Sequence, residues 1–140
     1  MIPLELAGRL RDAGLGWKPV AGDRFAIPDR DMDDDVFVLS DMTIEVYGDV
    51  IGFNGTTEWA LDDLEKDEAI WLPAEDQLRE RLGESFYRLE RVDDGYRVVA
   101  TVDGRVAAFD GTTPVEAYAQ AVLRLLTFFD RRGSSIRHGE

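Results

Sequence analysis

Hydrophobic residues recur at helical spacing in several parts of the chain and, with suitable start and stop residues, predict four helices. In the first helix Leu6 and Leu10 share a face, and Gly14 is a suitable stop. In the last, Thr113 can cap the helix, Pro114 suits its first position and Glu116 completes a capping box. The predicted helices are Pro3–Ala13, Glu58–Lys66, Pro73–Leu82 and Pro114–Phe129.

Short apolar or alternating runs bounded by turn residues predict the strands. Pro19 restricts the first of them to a sheet edge, and Asp103-Gly104 is a strong hairpin signal. The acidic stretch Asp29–Asp35 is predicted to be a solvated loop. The predicted strands are Trp17–Val20, Arg24–Ile27, Val36–Leu39, Thr43–Tyr47, Val50–Phe53, Phe86–Arg91, Tyr96–Val102 and Arg105–Phe109.

One short motif occurs twice, as FNGTT at Phe53–Thr57 and as FDGTT at Phe109–Thr113. In each copy an Asn-Gly or Asp-Gly pair can form a left-handed turn at the end of a strand, and a threonine can cap the next helix. The order of the flanking elements also agrees, which favours internal duplication with half-repeats at about 3–66 and 73–129. Chance recurrence of common turn residues is the alternative.

These elements define an α+β fold in which antiparallel β-meanders pack against helices. Residues 1–130 are predicted to form a single domain, and residues 131–140 a flexible tail with no apolar pattern. If the duplication is real, one rotation should superpose the two copies of the motif together with the adjoining helices.

Charge restricts the classes of function. The 29 acidic and 16 basic residues give a formal net charge of −13, which repels nucleic acid and anionic membranes. No apolar run approaches a membrane span, and the N-terminus lacks the basic start of a secretory signal. The chain has no cysteine, so disulfides and thiolate chemistry are excluded, and a cytoplasmic location is the simplest expectation.

The sequence contains no recognisable catalytic or cofactor motif. His138 is the only histidine, so a Ser-His-Asp triad and a multi-histidine metal site are not expected. No glycine-rich phosphate-binding loop occurs. The spacing of Asp29, Asp31 and Asp33 is similar to the start of a calcium loop, but Asp34 and Ser40 occupy positions that require Gly and Glu. No cofactor or metal is therefore predicted.

Acidic and aromatic residues supply the candidate partner-binding surface. Tryptophans of a chain this short usually lie in the core, but exposed ones rimmed by carboxylates would form a docking patch. The candidate partner-binding residues are Asp31, Asp33, Asp34, Asp35, Trp59, Asp62, Asp63 and Trp71.

Two stretches carry family resemblances. The run VFVLSDMTIEV and the segment that follows it through RERLG resemble a family of small acidic actinobacterial proteins, often labelled as pilus-assembly proteins. The second half, with LPAEDQLRERLGESFYRL and GTTPVEAYAQAVLRLL, is similar to small proteins of phages and their hosts. The resemblance implies the fold and gives no activity or site residue to transfer. The phosphate-binding loop of a pilus-assembly ATPase is missing.

The preferred hypothesis is a non-catalytic protein-interaction module, an adaptor, regulator or inhibitor, whose acidic surface binds a protein partner, with a basic partner as its natural complement. Two alternatives remain open. A small hydrolase or ligand-binding enzyme would need a buried carboxylate in a cleft. A nucleic-acid mimic would need two rows of carboxylates at phosphate-like spacing. The sequence does not predict the oligomeric state.

Overall fold

The structure is a computed structural model that describes residues 1–27, 32–39, 44–47, 50–53, 63–65 and 69–138. Side chains are described in these ranges except at 32–35, 44–47, 50–53, 63–65 and 129–138. The chain divides into two compact units: a terminal unit of Met1–Leu15 with Pro73–Glu140, and an inserted unit of Gly16–Leu72. The predicted α+β class is confirmed.

The described residues contain three α-helices and one 3-10 helix (Gly83–Ser85), all in the terminal unit, and nine strands, of which six lie in the inserted unit and three in the terminal unit. The α-helices are α1 (Leu4–Asp12), α2 (Glu75–Leu82) and α3 (Pro114–His138). The strands are β1 (Arg24–Ile27), β2 (Met32–Val38), β3 (Ile44–Tyr47), β4 (Val50–Phe53), β5 (Asp63–Glu65), β6 (Ile70–Leu72), β7 (Phe86–Val92), β8 (Gly95–Val102) and β9 (Arg105–Gly111).

The terminal unit contains an antiparallel sheet in the order β7-β8-β9. The predicted Asp103-Gly104 hairpin is confirmed, because both residues have positive φ values, 56° and 69°, which suits the tight turns of hairpins. Cross-strand pairing places Val98 beside Leu89 and Phe109 on one face of the sheet. This is the face against which α3 packs.

The core of the terminal unit lies between that sheet face and the helices. Its side chains are apolar and buried, so removing them from water is the main favourable contribution to folding. The ring of Tyr118 lies 5.6 Å from the ring of Phe86, between centroids. The buried residues contributed by α1, α2, β8 and α3 include Leu6, Leu10, Leu78, Leu82, Val98, Ala100, Ala117, Tyr118, Ala121 and Val122.

The start of α3 matches the predicted capping box. The Thr113 hydroxyl accepts a hydrogen bond from the Glu116 N–H at 3.3 Å. The Glu116 carboxylate in turn accepts the Thr113 N–H at 3.2 Å and the Thr112 N–H at 2.8 Å. The Thr112 hydroxyl also donates to it, and this bond is the main cause that lowers the pKa of Glu116. The box therefore satisfies N–H groups that have no partner within the helix.

The glycine of FDGTT has a different role from the predicted left-handed turn. Gly111 ends β9 and is not among the residues with positive φ. A Cβ added there would lie 2.6 Å from the Ala117 nitrogen and 2.7 Å from the Glu116 Cβ. Glycine is therefore required because the first turn of α3 approaches the strand closely.

The last helix is longer than predicted. α3 continues to His138, so residues predicted as a flexible tail from Arg131 onward belong to it. Once a helix is nucleated, each further residue adds a backbone hydrogen bond, and this offsets the low helix propensity of Gly133.

The inserted unit has two antiparallel sheets, β2-β1-β6 and β3-β4-β5. In the first, Phe25 of β1 is paired with Phe37 of β2 and with Trp71 of β6. Phe25, Ile27, Leu39 and Ala69 form a buried apolar cluster. The strand predictions at Arg24–Ile27, Thr43–Tyr47 and Val50–Phe53 are confirmed within a residue, and β6 was not predicted.

Three local predictions in this unit are wrong where the structure describes them. Trp17–Val20 is not a strand, because the Val20 N–H donates to the Asp23 carboxylate instead of to a neighbouring strand. The acidic stretch predicted as a loop at Asp29–Asp35 is extended from Met32 onward, because β2 is held to β1 at Met32 and again at Phe37, on either side of an irregularity in the pairing. In both cases tertiary contacts, and not local propensity, determine the conformation of the segment.

The third is the acidic helix predicted at Glu58–Lys66, of which the described part is β5. Asp63 pairs with Gly52 and Glu65 with Val50. Internal duplication is not confirmed. The residues after Phe53 in the first motif lie outside those described, and α1 packs against α3 of the terminal unit, not within a first half-repeat.

Candidate partner-binding surfaces

The acidic run predicted as a binding site lies in an edge strand. In the described part of its sheet, β2 pairs on one side only, with β1. Asp33–Asp35 form the first half of β2, and Val36 and Val38 follow with exposed fractions of 42 % and 60 %. Phe37, between the valines, packs inward with its ring 5.5 Å from that of Phe25. At its Val36–Val38 end, β2 therefore packs Phe37 into the core and exposes the two valines.

The remaining predicted site residues do not assemble into one described surface. Asp31, Trp59 and Asp62 lie outside the described residues. Asp63 begins β5, an edge strand of the second sheet as far as that sheet is described. Trp71 is buried, with 8 % of its surface exposed, so its prediction as part of an exposed aromatic patch is wrong.

Trp71 is buried because it belongs to an aromatic stack in the inserted unit. Its ring lies 6.4 Å from the ring of Trp17, with an interplanar angle of 8°. The ring of Trp17 also lies 5.6 Å from that of Phe25. Offset stacking stabilises such rings beyond the effect of area burial alone. The core interpretation of these tryptophans, which the sequence analysis also considered, applies to Trp71.

One buried carboxylate was missed by sequence reasoning. Asp23, 5 % exposed, is the buried charged residue among the side chains described. Its Oδ2 accepts hydrogen bonds from Trp17 Nε1 at 2.9 Å and from the Val20 N–H at 3.1 Å. Its backbone carbonyl accepts the Leu39 N–H at 2.9 Å. These contacts join the segment before β1 to the end of β2, which is a structural role. The Ala21-Gly22-Asp23 turn was the only sequence signal.

A groove in the terminal unit was also missed. It runs between α1 and α3 over the end of β9, and we call it the α1–α3 groove. One part has a volume of about 570 Å³ and is lined by Arg9, Asp12, Ala13, Phe109, Gln120, Leu123, Arg124 and Thr127. An adjoining part, which shares Arg9 and Gln120, has about 340 Å³ and is also lined by Pro3, Glu5, Leu6, Asp110, Gly111, Thr112 and Glu116.

The outer face of the terminal sheet carries an ion pair and two exposed apolar side chains. Arg97 forms a two-point ion pair with Asp110 on the neighbouring strand, with distances of 2.7 and 3.1 Å. The hydrogen bond from Arg97 is the main cause that lowers the pKa of Asp110. Tyr87 and Val106 are mostly exposed. Tyr87 and Val106 carry no charge, and the charges of Arg97 and Asp110 balance each other. These four residues therefore give the face no net charge that would attract a partner.

The described residues hold neither a cluster suited to a metal ion nor a helix suited to crossing a membrane. Within them, no three His, Cys, Asp or Glu side chains are grouped so that they could hold a metal ion. None of the helices described has both the length and the apolarity needed to cross a bilayer.

Comparisons with known proteins give no relative. No protein-family model matches the chain, and neither a curated protein nor a solved structure does so. Function must therefore be inferred from the surfaces described above.

Proposed function

We propose that the protein is a non-catalytic interaction module, an adaptor, regulator or inhibitor, that binds a basic protein partner along β2. The observation that carries this proposal is the position of Asp33–Asp35 in an edge strand, directly before two exposed valines. An edge strand offers backbone N–H and C=O groups to an incoming strand. Exposed β-branched side chains offer it an apolar contact.

Charge supports a basic partner. Three consecutive carboxylates favour lysine or arginine on an added strand, since opposite charges across neighbouring strands stabilise pairing. The net charge of −13 accelerates association with a cationic protein at low salt. Because screening reduces both effects, affinity should fall steeply as salt increases. We also propose a cytoplasmic location and kinship with the small acidic actinobacterial proteins.

An enzymatic function is less well supported. A carboxylate hydrolase needs a desolvated carboxyl group that faces a cavity. Asp23 is desolvated, but its carboxylate binds Trp17 and Val20 and is absent from the lining of both parts of the α1–α3 groove. Asp23, the buried carboxylate among the described side chains, therefore does not face the groove as a hydrolase would require.

The test uses the full chain and a labelled peptide that alternates lysine and valine, with a glutamate–valine peptide for comparison. Fluorescence anisotropy measures affinity, and amide hydrogen exchange locates the binding site. We expect the basic peptide to bind more tightly and to protect amides of β2 from exchange. The triple variant Asp33→Asn, Asp34→Asn, Asp35→Asn should weaken binding about tenfold or more.

The matched control removes the same charge elsewhere, as Asp93→Asn, Asp94→Asn, Asp103→Asn in exposed turns of the terminal unit. It should leave affinity within about twofold, because only long-range attraction is reduced. Equal weakening by both triple variants would show that net charge alone attracts the peptide. Equal binding of the two peptides, or protection confined to other strands, would also refute the proposed surface.

A further inference from the structure

The α1–α3 groove has its positive charge in its larger part, which is lined by two arginines and one carboxylate, Asp12, whereas its smaller part adds three more carboxylates. Arg9 and Arg124 both line its larger part, and both are exposed. No carboxylate whose side chain the structure describes lies within ion-pair distance of either. In a chain of net charge −13, two cations that no carboxylate among the described side chains pairs with, on one concave surface, mark a place that can accept an anion.

Three of the four carboxylates in the groove lining already have a partner. Asp12 forms an ion pair with Arg11 at 3.3 Å. Glu116 caps α3, and Asp110 binds Arg97 on the outer face of the sheet. Glu5 lines only the smaller part of the groove. The larger part therefore has two arginines against the single carboxylate of Asp12, which is paired with Arg11.

The same part of the groove also has an apolar wall. Phe109 and Leu123 line it and are half-buried. The Thr127 hydroxyl donates to the Arg124 carbonyl at 2.9 Å, so its hydrogen is already used within the helix. The volume of about 570 Å³ lies within the roughly 300–1,000 Å³ typical of small-molecule sites.

We propose that the α1–α3 groove binds a small organic carboxylate, with the anion between Arg9 and Arg124 and an apolar body against Phe109 and Leu123. A guanidinium group matches the planar geometry of a carboxylate and can donate two hydrogen bonds to it. This site lies in the terminal unit and does not depend on the partner-binding surface proposed on β2.

The test measures binding of phenylbutyrate to the full chain by amide chemical-shift mapping at constant ionic strength. Its neutral analogue phenylbutanol has nearly the same apolar body and no anion. We expect phenylbutyrate to bind about tenfold more tightly than phenylbutanol, with shifts centred on the groove-lining residues of α1 and α3. Arg9→Gln and Arg124→Gln should each weaken phenylbutyrate about three- to tenfold and leave phenylbutanol unchanged.

Arg105→Gln is the matched control, since Arg105 is exposed, carries the same charge and does not line the groove. Equal weakening by this variant would overturn the proposal, because it would show a general electrostatic effect. Equal affinity for phenylbutanol, shifts centred elsewhere, or no binding at about 10 mM would overturn it as well. The β2 peptide assay with Arg124→Gln should stay unchanged, which separates the two sites.

Discussion

Replacing Asp23 by alanine tests whether a single buried carboxylate holds the inserted unit together. The substitution removes the acceptor of the Trp17 Nε1 bond at 2.9 Å and of the Val20 N–H bond at 3.1 Å. A hydrogen bond to a charged group contributes about 1.5–3 kcal/mol, and a buried donor left without a partner costs a similar amount. Because the segment around Val20 is exposed, water can replace the second bond. We expect a loss of about 2–4 kcal/mol.

The distribution of aromatic residues allows each unit to be followed separately. All three tryptophans of the chain lie in the inserted unit, and the three described α-helices lie in the terminal unit. Tryptophan fluorescence during urea unfolding therefore reports on the inserted unit, and helical circular dichroism reports on the terminal unit. For Asp23→Ala, the fluorescence midpoint should fall while the midpoint of the helical signal stays where it is.

The control is Asp12→Ala, which removes the same charge at an exposed position of α1. Surface ion pairs contribute about 0–1 kcal/mol, so its effect should be small and should appear in the helical signal. Asp23→Asn keeps one carbonyl oxygen as an acceptor and should lie between wild type and Asp23→Ala. If Asp23→Ala moved the fluorescence midpoint no more than Asp12→Ala does, the assigned structural role of this carboxylate would be incorrect.

Two further predictions concern the start of α3. Gly111→Ala should destabilise the terminal unit by about 1–3 kcal/mol in urea unfolding followed by circular dichroism, because its Cβ would meet the first turn of α3. A cost below about 0.5 kcal/mol, the range of ordinary surface substitutions, would contradict the close-approach argument. The pKa of Glu116 is lowered from its ordinary 4.5, so its contribution to stability is complete above that pH and is lost as pH falls through the folded-state pKa. Glu116→Gln should reduce this loss in acid titrations of the helical signal, and an unchanged pH profile would contradict it.

Most helices and strands of the terminal unit could be predicted because their signals are local. The capping box at Thr113 and the Asp103-Gly104 turn depend on residues a few positions apart. The apolar stripe of α3 likewise appears directly in the order of residues. Where local chemistry and tertiary packing favour the same structure, the sequence is sufficient to predict the helix or strand.

Predictions failed where pairing between distant segments overrides local preference. Aspartate has low strand propensity, yet Asp33–Asp35 lie within β2, because the residues on either side of them, Met32 and Phe37, pair with β1. Gly111 was expected to form a turn, and its actual role depends on a contact with Glu116 across the strand–helix junction. Asp23 showed only a turn signal, since its partner Trp17 is identified by the folded geometry alone.

The sequence by itself determined the class of the protein: α+β, strongly acidic, without cysteine and without a recognisable catalytic motif. The tertiary structure alone decided which surfaces remain available for binding. Arg9 and Arg124 are far apart in the chain and line the same groove only because α1 packs beside α3. Periodicity and capping act over a few residues, whereas a groove is formed by segments whose proximity depends on the packing of the whole unit.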